Sequence, residues 1–166
     1  MLRNEDIYEE ILRDHILYSN NKLNGSNKAN QFASGSNVAC GDSIKVNICN
    51  HNNVIQEISF TGNYCSTTKL SAILMIEELK GKTSQEAENL FNEVKAVATS
   101  EDYNEYQIDG LFPILIKQLS VISSGQHICQ TTQCVLLPWQ TMLSALEAEV
   151  IQYSLENNKD YSKYLY

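Results

Sequence analysis

SIKVNICNHNNVIQEISF, residues 43–60, sets Ile44, Val46 and Ile48 on one side of an extended chain and Lys45 and Asn47 on the other. A spacing of two is the mark of a half-buried strand, because successive side chains of a strand point to opposite faces. HNN, residues 51–53, breaks the alternation with turn-forming residues, and VIQEISF then resumes an apolar strand pattern. Two such runs around a short break predict a β-hairpin.

Around the hairpin the periodicity is helical. In residues 4–18, Ile7, Ile11, Leu12 and Ile16 recur among charges as on one face of an amphipathic helix. The Asn-, Ser- and Gly-rich stretch that follows reads as a surface loop with a short strand near Phe32. After the hairpin comes STTKLSAILMIEELKG, a run of helix formers ending at Gly81, and then TSQEAENLFNEVKAVA, with Thr83 and Glu86 at capping-box spacing. A polar link leads to FPILIKQLSVI, where Pro113 suits a first helical turn, and the loop SSGQHICQTTQ precedes a last helix over about 135–155 with Pro138 near its start. The order predicts an α+β fold, a small antiparallel sheet packed against about five helices. With 166 residues, 43% of them hydrophobic, residues 1–166 are expected to form a single domain, with a tail from about 156.

Charge narrows the function classes. Twelve basic against 20 acidic side chains leave −8, the wrong sign for a nucleic-acid backbone partner. MLRNEDIYEEILRDH carries charges throughout and lacks the apolar core of a signal peptide, and no apolar run reaches membrane-spanning length. A cytoplasmic protein with no nucleic-acid or membrane partner is the expectation.

In that setting Cys40, Cys49, Cys65, Cys129 and Cys134 are read as reduced thiols, and metal binding or thiol chemistry becomes the leading suspicion. Cys65 stands in FTGNYCSTTKL at a junction of strand and helix, where the helix dipole favours a thiolate. Cys134 has an equivalent setting ahead of the last helix. Cys40 lies in the turn before the hairpin, next to Gly41 and Asp42. Three thiolates and one carboxylate make a four-ligand set for tetrahedral zinc or for iron in a cluster. The separations are too long for a zinc-finger knuckle, so spacing alone leaves two readings open, a shared metal site and separately buried thiols. Cys49, ending a strand, reads as a packing residue, and His127 and Cys129 stand in a polar loop outside the set of four. No histidine sits in a motif that would make a cysteine hydrolase.

Read together and in order, ACGD at 39–42, GNYCS at 62–66 and CVLLPW at 134–139 resemble the U-type iron–sulfur cluster assembly proteins, the family of IscU, SufU and the N-terminal domain of NifU. KGKT at 80–83 and the opening helix with Asp14 and His15 add to the likeness. The resemblance implies a three-stranded antiparallel sheet against helices. It also implies that Cys40, Asp42, Cys65 and Cys134 bind zinc, iron or a [2Fe-2S] cluster. The long segment between Cys65 and Cys134, and Gln133 where Isc-type scaffolds carry histidine, look like SufU, whose members take sulfur from a cysteine desulfurase and commonly hold zinc. The chain departs from the family at Thr131 and Gln133, where basic residues are common, and at 18–21, where many members have Asn-Pro-Arg-Asn.

A sulfur acceptor or scaffold is thus expected rather than a stand-alone enzyme. Its partners would be a SufS-like desulfurase and downstream cluster assembly or carrier proteins. Cys40 is the expected acceptor, because a ligand beside glycine in a turn swings away at little backbone cost. A scaffold that builds and hands over a [2Fe-2S] cluster, and a structural zinc domain, are the alternatives.

Overall fold

The computed structural model describes Glu10 and residues 29–99, 112–113, 115–117 and 131–148. Three antiparallel strands, β1 (Gln31–Asn37), β2 (Asp42–His51) and β3 (Val54–Asn63), form one sheet in the order β1-β2-β3. Ile44, Val46 and Ile48 are all buried, as the alternation requires, and Val46 lies in register between Ala33 and Phe60. The hairpin turn is tighter than HNN suggests. His51 pairs with Val54, leaving two residues, Asn52 at φ 51° and Asn53 at φ 61°. A two-residue turn that matches strand twist needs positive φ at both positions, and asparagine tolerates it.

Three long helices follow among the described residues: α1 (Ser66–Leu79), α2 (Ser84–Thr99) and α3 (Thr131–Glu147). Helix α1 is buried on several sides, through Thr68, Ser71, Ala72, Ile73, Leu74, Met75 and Leu79, and ends before Gly81 at φ 82°. The capping box of α2 forms as predicted: Glu86 Oε2 accepts from Thr83 N at 2.8 Å, and Thr83 Oγ1 accepts from Glu86 N at 3.2 Å. Residues 112–113 and 115–117 are helical, in keeping with the short helix expected at Pro113. The helix expected over 4–18, apart from Glu10, and the tail from 156 lie outside the described residues.

The last helix begins earlier than expected, at Thr131, so Pro138 sits inside α3 and Cys134 lies within its first turn rather than ahead of it. Proline has no N–H to give to the carbonyl four residues back, which is that of Cys134. Helix α1 packs its hydroxyls against the break: Ser71 Oγ donates to the Val135 carbonyl, and Thr68 Oγ1 lies 3.3 Å from the Cys134 carbonyl oxygen. Ser71 Oγ in turn accepts from the fully buried Trp139 Nε1 at 3.1 Å. Phe60, Met75, Leu79, Trp139 and Met142 fill the core between sheet and helices. At Gly35 a β-carbon would collide with Thr141 Oγ1, so α3 rests directly on the backbone of β1.

This topology brings four chain segments to one end of the sheet. Asn37 pairs with Asp42 across the β1–β2 turn, and Ser43 pairs with Asn63, two residues before Cys65.

Candidate metal centre

Asp42 opens β2 and is only 4% exposed, so its charge needs partners. Its Oδ1 accepts from Cys65 N at 2.9 Å and its Oδ2 from Thr68 Oγ1 at 2.6 Å. A carboxylate has about four lone-pair sites, so these two bonds fix its orientation without exhausting its capacity as a ligand. Thr68 has one hydroxyl proton for both Asp42 and the Cys134 carbonyl, and the shorter, charge-assisted contact to Asp42 holds it.

Cys65 is the N-cap of α1, with extended backbone at φ −73° and ψ 167°, and its sulfur accepts from Thr68 N at 3.5 Å. The strand–helix junction read from FTGNYCSTTKL is therefore also a cap. Cys134 is fully buried, and its sulfur accepts from Asn37 Nδ2 at 3.4 Å. Burial, foremost, then the neighbouring Cys65 and Asp42, pushes the Cys134 thiol up to about 12.

The ligand atoms of Asp42, Cys65 and Cys134 all lie within 4.8 Å of one another. Cys40 joins them: its sulfur lies 3.0 Å from that of Cys134. It sits half-buried in the β1–β2 turn, held by Cys40 N donating to the Asn37 carbonyl at 3.2 Å and followed by Gly41 at φ 71°. Cys40 is disulfide-bonded, whereas Cys49, Cys65 and Cys134 take part in no disulfide. The four residues singled out in the sequence thus meet at one place, Cys40 through the contact of its sulfur with that of Cys134.

Cys49 does not join them. It faces away from the core at the far end of β2, seven residues from Asp42 or about 23 Å at strand rise. His127 and Cys129 lie outside the described residues. Two supporting side chains escaped the sequence reading. Thr68 stands three residues after Cys65, the spacing at which an N-cap meets its third helical residue, and that spacing was a usable signal. Asn37 reaches Cys134 across 97 positions, and nothing local announces it.

The fold is that of a small U-type domain. A sequence profile of the NifU-like N-terminal domain matches residues 7–104, well over half of the chain, and the chain belongs to that family. The profile takes in Cys40, Asp42 and Cys65 and stops short of Cys134. The iron–sulfur cluster assembly scaffold protein IscU of Thermotoga maritima is 25% identical over 142 residues, 85% of this chain and 93% of that protein. The zinc-dependent sulfurtransferase SufU of Bacillus subtilis is 20% identical over 145 residues, 87% of this chain and 92% of that protein. Among solved structures, the putative scaffold protein for the SUF system of Fervidobacterium islandicum AW-1 superposes with a TM-score of 0.66 at 25% identity, covering 87% of this chain and 99% of that one. No described helix is long and apolar enough to cross a membrane.

Proposed function

We propose that this protein takes sulfur from a persulfide on a cysteine desulfurase and passes it into iron–sulfur cluster assembly, from a metal site made by Cys40, Asp42, Cys65 and Cys134. The observation that carries this reading is the convergence of the Asp42, Cys65 and Cys134 ligand atoms within 4.8 Å. The relatives' names, a cluster assembly scaffold and a zinc-dependent sulfurtransferase, point the same way. Sulfur and carboxylate donors in a closed, largely buried set suit zinc. Bound zinc would keep the coordinating thiols ionised at neutral pH.

The division of labour among the four follows from their settings. Asp42 and Cys65 are tied to each other and to Thr68, and Cys134 is fully buried, so these three hold the site's shape. Cys40 occupies a turn, with open space around the place where Gly41 would carry a β-carbon. Cys40 is therefore the acceptor. Two thiol equivalents first reduce its disulfide, which suits a reducing cytoplasm. Its thiolate then attacks the outer sulfur of the donor persulfide, the donor S–S bond breaks, and the desulfurase cysteine leaves as thiolate. Cys40 becomes the persulfide, and the exchange consumes no electrons.

Similarity to the Thermotoga scaffold favours a second reading, in which iron and sulfide are cargo gathered by the same four residues into a [2Fe-2S] cluster. Metal analysis with a visible absorption spectrum separates the two: bound zinc and no colour for the first, iron and charge-transfer bands for the second. Under both, replacing Cys40, Asp42, Cys65 or Cys134 singly lowers bound metal, whereas Cys49→Ser does not. A full site in Asp42→Ala beside an empty one in Cys49→Ser would overturn the ligand set. The sulfur-acceptor reading further requires that the protein accelerate alanine release from cysteine by its desulfurase, and that early persulfide appear by mass spectrometry on Cys40 rather than Cys65 or Cys134.

A further inference from the structure

Asn37 is the last residue of β1, and the turn that carries Cys40 begins directly after it. It is only 6% exposed, so its side-chain amide needs partners inside the protein. The amide nitrogen donates to the Cys134 sulfur at 3.4 Å. The main chain of the same residue serves two other ligands. Its carbonyl oxygen accepts from Cys40 N at 3.2 Å, and it pairs with Asp42 across the β1–β2 turn. One residue therefore touches the Cys134 side chain and braces the backbone at Cys40 and Asp42. The strand is also fixed against the helix that bears Cys134, because α3 rests on the β1 backbone at Gly35 beside Thr141.

The contact to sulfur suits a charged ligand better than a neutral one. A thiol sulfur is a weak acceptor, whereas a thiolate takes an N–H donor with the added strength of its charge. Cys134 is fully buried, so a negative sulfur there is cut off from bulk solvent and depends on donors supplied by the protein. A donor already in place needs no reorganisation when that charge develops.

We propose that Asn37 is a positioning residue of the metal site, whose amide N–H holds the Cys134 sulfur in place and stabilises the thiolate it becomes as a ligand. The inference rests on the ligand set proposed above and is independent of the route by which sulfur arrives. It gives the buried end of β1 a part in metal binding, although Asn37 itself is no ligand.

In the full-length, reduced protein, Asn37→Leu removes the donor and keeps most of the volume. Metal-free, the variant should lose little thermal stability, because an apolar side chain beside a protonated sulfur leaves no buried charge without a partner. Its zinc affinity, measured by chelator competition, should fall roughly 10- to 100-fold. Cobalt(II) gives an independent reading. Taking a donor away from a thiolate raises the energy of its sulfur electrons, so the sulfur-to-cobalt charge-transfer absorption should move to longer wavelength. Zinc affinity within about twofold of the wild type, or an unshifted cobalt band, would overturn the inference. So would a fall in affinity matched by an equal loss of stability in the metal-free protein, which is what a merely structural role predicts. Asn37→Ala, which cannot overpack the site, is read by the same criteria should the leucine variant fail to fold. Wild-type protein that binds neither zinc nor cobalt would sink the ligand set, and the role of Asn37 with it. Normal wild-type binding beside an unaffected Asn37→Leu sinks the role of Asn37 alone.

Discussion

A cysteine with no solvent exposure is a costly place for a charge, and Cys134 answers by keeping its proton. Its thiol is raised from an ordinary 9.0 to about 12, chiefly by burial. A metal entering the site therefore has to displace that proton, so uptake releases acid and strengthens with pH. In the metal-free protein with Cys40 in its disulfide, the folded state holds this proton more tightly than the unfolded one. The resulting stabilisation is fully present below pH 9 and is lost as pH rises towards about 12. Denaturant unfolding across that range should show the stability advantage of wild type over Cys134→Ala shrinking with pH; a constant difference would refute it. Thr68 makes a second residue-scale prediction. Thr68→Val keeps the side chain's shape but deprives Asp42 Oδ2 of its donor at 2.6 Å. Loss of such a supporting bond should weaken metal binding roughly 10- to 100-fold in a chelator competition, with Thr68→Ser restoring much of it. An unchanged affinity in the valine variant would show that Asp42 needs no such support.

At the scale of elements, the site depends on how closely β2 and β3 meet before Cys65. Gly62 has φ 139°, and a β-carbon there would strike the Ser43 carbonyl oxygen. Gly62→Ala should therefore part the strands next to both Asp42 and Cys65, lowering stability and metal content together. Gly41→Ala meets no atom within 4 Å and bears only the cost of its φ of 71°, about 1–2 kcal/mol. Thermal unfolding with parallel metal analysis should rank Gly62→Ala as the more damaging; the reverse order would mean the turn, not the strand contact, secures the site. The hairpin was legible because burial on one face forces the alternation of Ile44, Val46 and Ile48. His51 was read as turn because the two-residue turn rests on positive φ at Asn52 and Asn53, which letters alone do not specify. The start of α3 was misplaced because a proline ordinarily sits in a first turn. At Pro138 the rule gives way: Ser71 Oγ donates to the Val135 carbonyl and Thr68 Oγ1 lies against that of Cys134, and both come from a helix more than 60 positions away.

For the whole molecule, the residue types of the site were legible and their meeting was not, since Cys40, Asp42, Cys65 and Cys134 converge only once three strands and two helices are in place. The resemblance of three short motifs supplied what spacing could not. The geometry also says how far a bound metal's influence extends. Its four proposed ligands join the β1–β2 turn, the start of β2, the cap of α1 and the first turn of α3, all at one end of the sheet. The opposite end is closed without it: Asn30 Nδ2 donates to the Asn50 carbonyl at 2.7 Å, Asn50 N donates to Asn30 Oδ1 at 2.9 Å, and β3 pairs onward to the chain entering α2 at Val54 and Thr83. Binding free energy gained only by the folded state adds to stability, about 2.7 kcal/mol at a hundredfold excess over Kd. That gain should be felt unevenly, because the segments it ties are the ones with the longest chain between them. Chelation should therefore accelerate amide hydrogen exchange at Cys40, Asp42, Cys65 and Thr68 well before it does at Ile48, Ile55 and Ile58, with circular dichroism little changed. Uniform acceleration across the sheet would mean instead that the metal holds the entire fold together, and that the hairpin core has little stability of its own.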